Sequence, residues 1–351
     1  MLFLVYIGFS LYLYFQWVAP SLDGRVDQHI AADSETYITY ADSLRSGDGN
    51  PYVLAALSAF PNTLWIPVFL AFIFKGTFTI VLVNYSALFL SLILLKKVYS
   101  FSAGVFVMLL LLNATTTISL LSVNKEIVDL LAVSIFFFAR RTHKNVLLFF
   151  SLVLAFLNRF EVSLVMGIFL LITSTINPFR QKRILMMITL VLGLSVLLPL
   201  VASATLAGHF EEASGGATVV SLDVLEIHYL YAIAVIPKIA ENFFGELLNV
   251  SKWINSYHYS DLANSYILLS NNFATAVVLI VLVIKHKFTV HSDTVYFALL
   301  GCIIMAISLV IQPRYFYFAY VLFCLQVASQ RELRCLPAIT LPTYLEEVSH
   351  D

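Results

Sequence analysis

The sequence predicts an all-α chain, folded as a polytopic bundle of transmembrane helices. Three observations lead there. Of 351 residues 60% are hydrophobic and 12% charged, and mean hydropathy is +0.90, which is more apolar surface than a water-soluble fold can bury. Apolar runs of bilayer-crossing length recur down the chain. Between those runs Lys and Arg gather in short clusters. The formal net charge is only −1, which gives no reason to expect a nucleic-acid partner.

The first run, "MLFLVYIGFSLYLYFQWVAPSL", has no basic start and no clean small-x-small cleavage site. It reads as a retained span over roughly 1–19 rather than a removed signal peptide. Nine more spans are predicted over roughly 77–95, 101–118, 127–139, 145–158, 162–176, 184–206, 263–284, 294–311 and 314–329. The segment "LWIPVFLAFIFKG", 64–76, is short and carries Pro67, with Pro61 just before it. It reads as a membrane-dipping or interfacial helix, with a true span as the alternative. Cys302 and Cys324 fall inside apolar runs and Cys335 in the tail, as reduced or membrane-buried thiols rather than a disulfide framework.

Charge sidedness tests this count, because Lys and Arg near span ends stay cytoplasmic. With 64–76 not spanning, "KK" at 96, "RRTHK" at 140, "RQKR" at 180, "KHK" at 285 and "RELR" at 331 share one face. That side holds 12 of the 20 basic residues against 5 acids; the other holds 8 against 15, with Asp129 inside the membrane boundary. Both termini are then cytoplasmic. The chain reads as one integral-membrane domain, with a first extracytoplasmic loop at 20–76, a long one at 207–262 and a cytoplasmic tail at 330–351.

This topology puts the chemically interesting residues on the extracytoplasmic face. In "AADSETYITYADSL", 31–44, Asp33 or Ser34 can cap a helix whose first turn welcomes Glu35, and "SGDGNP" ends it. Tyr37, Tyr40, Ala41 and Leu44 share one face, predicted to turn its aromatic side toward the headgroups. An acid held there, Asp33 with Glu35 beside it, is also placed to act as a base on a lipid-delivered substrate.

In "SLLSVNKEIVDLL" Lys125 and Glu126 interrupt apolar sequence on both sides, which is costly unless they are paired or functional. Lys125 suits a phosphate ligand, with Glu126 as its orienting partner or a second acid. Asp129, one turn later, shares that face or makes a polar contact between helices. "LAFLNRFEVSL" brings Arg159 and Glu161 to a short outer turn, and "QPRY" brings Arg314 and Tyr315 to the mouth of the last span. A guanidinium next to Pro313 suits bidentate capture of phosphate or pyrophosphate.

In the loop 207–262, "HYLYA" and "WINSYHY" offer aromatics for stacking on sugar rings or for anchoring helices at the interface, and the loop carries an amphipathic helix. Tyr37, Glu161, His228 and Tyr257 are the candidates for sugar contact. His209, His228 and His258 lack the close spacing of a zinc site. There is no Walker motif and no G-x-G-x-x-G, so neither ATP nor a dinucleotide is indicated.

Taken together, these residues resemble the GT-C superfamily of integral-membrane glycosyltransferases, which includes aminoarabinose transferases, protein mannosyltransferases and many bacterial polysaccharide enzymes. The resemblance rests on one span followed by an outer loop with Asp33, Glu35, Tyr37, Ala41, Leu44 and Gly47, then the Pro-containing "FPNTLWIPVFLAFIFKG", and on the late "QPRY". It implies a polyprenyl-linked sugar donor and a glycan or lipid-linked acceptor, met at the periplasmic face of a bacterial inner membrane. It further implies a role for Asp33 as general base or metal ligand. The resemblance fixes no cofactor, and a divalent cation, magnesium or manganese, is compatible with it. The acids here are split as "DSE", and Lys125 and Glu126 stand where many members have a lone Asp. The short chain is closest to the compact enzymes of surface-polysaccharide synthesis, repeat-unit polymerases among them, which work alongside other assembly proteins. A transporter or flippase of lipid-linked sugars is the rival reading.

Overall fold

The computed structural model describes residues 2–22, 32–47, 53–54, 57, 64–205, 229–248, 259–307 and 313–329. Among these the regular structure is helical, with one isolated antiparallel bridge, Phe101 to Ser329. Helix α1 (Leu2–Leu13) continues through a π-helical stretch (Tyr14–Val18) into a last turn (Ala19–Leu22). The amphipathic α2 (Ala32–Ser46) ends at Gly47, whose φ of 71° suits a residue without a Cβ. The segment of ambiguous depth is α3 (Trp65–Ile73), 9 residues, about 13 Å long and too short to cross a bilayer. It packs on α2 instead: Tyr37 and Ala41 meet Val68, Ala71, Ile80 and Val123 in one apolar cluster. The aromatic face of α2 is therefore turned onto protein rather than toward headgroups, because α3 supplies the cover.

Helix α4 (Thr77–Val98) is apolar and long enough to cross a membrane. The expected straight span over 101–118 is two helices, α5 (Ala103–Leu111) and α6 (Ala114–Leu121), meeting at 88°. Asn113 makes the corner: its Oδ1 accepts from Thr115 N at 2.9 Å, while Thr116 Oγ1 donates back to Leu110 O at 2.7 Å. Such a cap starts a new helix instead of prolonging the old one.

Helices α7 (Glu126–Thr142), α8 (Asn145–Asn158), α9 (Phe160–Thr173) and α10 (Arg183–Thr205) follow, then α11 (Tyr231–Leu248), α12 (Tyr259–Ile284) and α13 (Asp293–Met305). A 3₁₀ turn (Pro313–Phe316) leads into α14 (Tyr317–Ala328). Helix α11 is the amphipathic helix expected in the long loop. Every residue of α14 is buried, as are 11 of the 13 in α13 and 12 of the 17 in α7, so these three form the core. A helix apolar all round, as α14 nearly is, belongs at such a centre. Around it the outer helices expose Leu82 and Phe89, Phe149 and Phe150, Ile188 and Leu192, Ile280 and Val283, an apolar belt that suits lipid.

By length and hydropathy, α4 and the Ile267–Ile284 part of α12 can each cross a membrane, and a third span exists if α5 and α6 count as one. Five of the other expected spans, at 145–158, 162–176, 184–206, 294–311 and 314–329, are apolar helices of 10–17 residues, and those over 1–19 and 127–139 are not among them, so the ten-span count goes beyond what helix length and hydropathy show. The two ends of the bundle differ. At one, Ser102 N donates to Ala328 O at 2.9 Å, and Lys96 and Lys287 donate to the carbonyls of Phe101 and Ser329. The carboxylate-arginine site occupies the other.

Candidate functional site

The site begins at the first turn of α2. Asp33 and Ser34 were both candidates for capping it, yet their side chains point across to other elements. Ser34 Oγ donates to Val123 O at 2.6 Å, and Asp33 Oδ2 accepts from Arg314 Nη1 at 2.5 Å. The acid of the first loop and the arginine of the last "QPRY" thus meet across the chain. Glu35 comes two residues later, about 200° further round the helix. It therefore does not share the face that Asp33 turns to Arg314.

The second part is built from the α6–α7 connection and the α8–α9 turn. Arg159 leaves α8 in extended conformation, with φ −156° and ψ 107°, and this kink turns its side chain inward. Arg159 Nη2 lies 3.2 Å from Glu126 Oε1, and its Nε lies 3.4 Å from Asp129 Oδ2. Both readings of Asp129 hold: it shares the Glu126 face and makes a contact between helices, accepting from Asn158 Nδ2 at 2.7 Å. The same Asn158 amide donates to Lys125 O at 2.9 Å, and Asn124 Oδ1 accepts from Lys125 N at 3.0 Å. Ser119 Oγ donates to Glu126 Oε2 at 3.4 Å. A rigid polar loop is held from four sides.

Tyr315 joins the two parts. Its ring centroid is 5.1 Å from the Arg159 guanidinium carbon and 5.7 Å from that of Arg314. Tyr37 lies in the same field, where Asp33, Glu126, Arg159 and Arg314 all act on it. Burial, with the charges of Asp33 and Glu126 adding to it, raises its phenol well above the ordinary value, so Tyr37 stays a neutral donor. Lys125, in the loop before α7, is buried too. That burial, reinforced by the charge of Arg159, pushes its ammonium down to about 8. Glu161, in the first turn of α9, opposes this shift.

The two arginine-carboxylate contacts differ in access. The side chains of Glu126 and Arg159 are 1% and 8% exposed, those of Asp33 and Arg314 37% and 31%. The first pair is locked in; the second faces an opening. Of the expected site residues, Asp33, Tyr37, Lys125, Glu126, Arg159, Arg314 and Tyr315 converge at this end of the bundle, with Glu161 beside them. His228 and Tyr257 lie outside the described residues. Sequence reasoning missed Asn84, whose Nδ2 lies 2.8–3.3 Å from the carbonyls of Ser119, Leu120 and Ser122. A lone Asn inside the apolar α4 was the signal that could have found it.

Among the described residues no three of His, Cys, Asp and Glu converge as a metal site requires. Asp33, Glu126 and Asp129 each face an arginine. Compared with family models, curated proteins and solved structures, the chain has no match.

Proposed function

We propose that this chain is a membrane glycosyltransferase or polysaccharide polymerase of a bacterial inner membrane, with ten spans and cytoplasmic termini. In this reading it moves a sugar or glycan repeat from an undecaprenyl phosphate or pyrophosphate carrier to an acceptor hydroxyl on the periplasmic side. The product is a cell-surface polysaccharide such as O-antigen, capsule or exopolysaccharide. The observation that carries the reading is the exposed Asp33–Arg314 pair beside the buried Arg159, which sets a base next to two cations at one end of an apolar bundle.

The chemistry follows from that placement. A carrier phosphate reaching Arg314 competes with Asp33 for the guanidinium and frees the carboxylate. Asp33 then takes the proton of the acceptor hydroxyl as its oxygen attacks the anomeric carbon. The bond from that carbon to the phosphate oxygen breaks, and its electron pair stays on the phosphate, where Arg314, Arg159 and Lys125 stabilise the charge. Tyr37 donates a hydrogen bond without carrying charge. Glu126 holds Arg159 in position.

Replacing Arg314 with Ala should abolish product while leaving the amount of membrane-inserted protein unchanged. Glycan made at the wild-type level by that variant would end the assignment. The 88° break between α5 and α6 favours a second reading, a transporter of lipid-linked sugars, since discontinuous helices are common in transporters. Movement of a glycolipid across vesicles by the purified protein, without bond formation, would support that reading instead.

A further inference from the structure

We propose that α3 lies in the membrane surface at the site's end of the bundle, with Trp65, Phe69, Phe72 and Ile73 set among lipid acyl chains. These four side chains are exposed, Phe69 at 56%. Their spacing, i, i+4, i+7 and i+8, lines them along one face of the helix. The opposite face is buried at Pro67, Val68 and Ala71, and the last two of these pack in the cluster that holds Tyr37 and Ala41 of α2.

The neighbouring helix fixes the depth of the exposed face. Helix α4 is long and apolar enough to cross a membrane, and its 22 residues span about 33 Å against a hydrocarbon core of roughly 30 Å. Lys96, near its far end, bonds at the opposite end of the bundle, so its start at Thr77 is the membrane boundary on the side of the site. Only Phe74, Lys75 and Gly76 separate Ile73 from Thr77, a reach of at most about 14 Å. Too short to cross, α3 therefore meets that boundary with its apolar face. Exposed Lys75 is placed there to meet headgroup phosphates. Phe78 and Leu82, exposed on α4, carry apolar surface onward from the same boundary.

The ends and outer faces of the two packed helices sort between lipid and water. A helix end against acyl chains needs donors for its last carbonyls. Arg45 of α2 supplies them: Nε and Nη2 donate to Phe72 O at 3.2 and 2.8 Å, and Nη2 also to Ala71 O. Among the described side chains of α2 the exposed ones are Thr36, Thr39, Asp42 and Ser46, all polar. The membrane contact expected of α2 thus falls to α3, and α2, riding on it, carries Asp33 at the level of the headgroups. None of this depends on the proposed activity.

The test is Trp65 fluorescence in the full chain, with Trp17→Phe and Trp253→Phe leaving it as the one tryptophan. The chain is placed in nanodiscs of phosphatidylcholine brominated near either the glycerol end or the methyl end of its acyl chains. Bromines near the glycerol end should quench Trp65 more than those near the methyl end. Phe69→Trp, in a chain with all three native tryptophans changed to Phe, should show the same order and provides a second probe on the same face. Stronger quenching from the methyl end would overturn the proposal in favour of a deeply inserted segment. Quenching by aqueous acrylamide with none by either lipid would also overturn it, since the face would then be in water. So would emission that neither lipid nor acrylamide reduces, which would put the face under protein.

Discussion

Arg159 and Arg314 share one aromatic ring: their guanidinium carbons lie 5.1 and 5.7 Å from the centroid of Tyr315. Two cations near one ring repel each other, and that ring, together with the carboxylates of Glu126, Asp129 and Asp33, offsets the repulsion. The ring rather than its hydroxyl does this. Tyr315→Phe should therefore keep activity within about twofold, while Tyr315→Leu removes two contacts of about 0.5–2 kcal/mol each and should lower it at least tenfold. Enzyme assays on membranes with matched protein amounts check both.

The difference in burial between the two ion pairs predicts different consequences for folding. Arg159→Met strands Glu126 and Asp129 in a closed site and should cost about 3–5 kcal/mol. Asp33→Asn removes half of an accessible pair and should cost under about 1 kcal/mol. Thermal unfolding in detergent should rank them so, and a comparable loss from both would contradict the assigned geometry.

Lys125 predicts a pH dependence. Its folded value of about 8 lies below the ordinary value of 10.5, so between the two the unfolded chain holds more protons, and this group makes stability rise with pH there. Under the proposed function activity should run the other way, because the ammonium that would hold a phosphate is lost as pH rises through about 8. Product formation should thus fall above that pH without a drop in unfolding midpoint, and Lys125→Arg should abolish the fall. A wild-type profile flat across this range would count against a role for the ammonium.

Asn84 holds the far wall of the site through three carbonyls of the α6–α7 region. Asn84→Leu leaves those buried carbonyls short of a donor, at about 1–3 kcal/mol, and loosens the loop that places Lys125 and Glu126. Activity should fall further than the midpoint predicts. Hydrogen exchange over residues 119–126 provides the direct check.

Much of this arrangement was legible beforehand. Apolar runs gave the helices, and the cost of ionisable groups in lipid singled out Lys125, Glu126 and Arg159, which the structure gathers with Asp33 and Arg314. Other parts were not. Local pattern suggested caps for α2, but Ser34 and Asp33 are drawn to Val123 and Arg314, partners that only the tertiary fold supplies. The break at Asn113 hid inside a run apolar enough to look continuous, although an Asn followed after one Ala by three Thr residues is a poor helix interior and a good start. The inward face of α2 depended on α3, whose short length was legible but whose packing partner was not.

The most direct test of the central claim is the surface-glycan profile of a strain lacking this gene, complemented with wild type or with Asp33→Asn at matched expression. Asp33 as the base predicts that wild type restores a glycan ladder and the variant leaves a single repeat or none. A full ladder from Asp33→Asn would show that the carboxylate only braces Arg314, and that transfer is not initiated there.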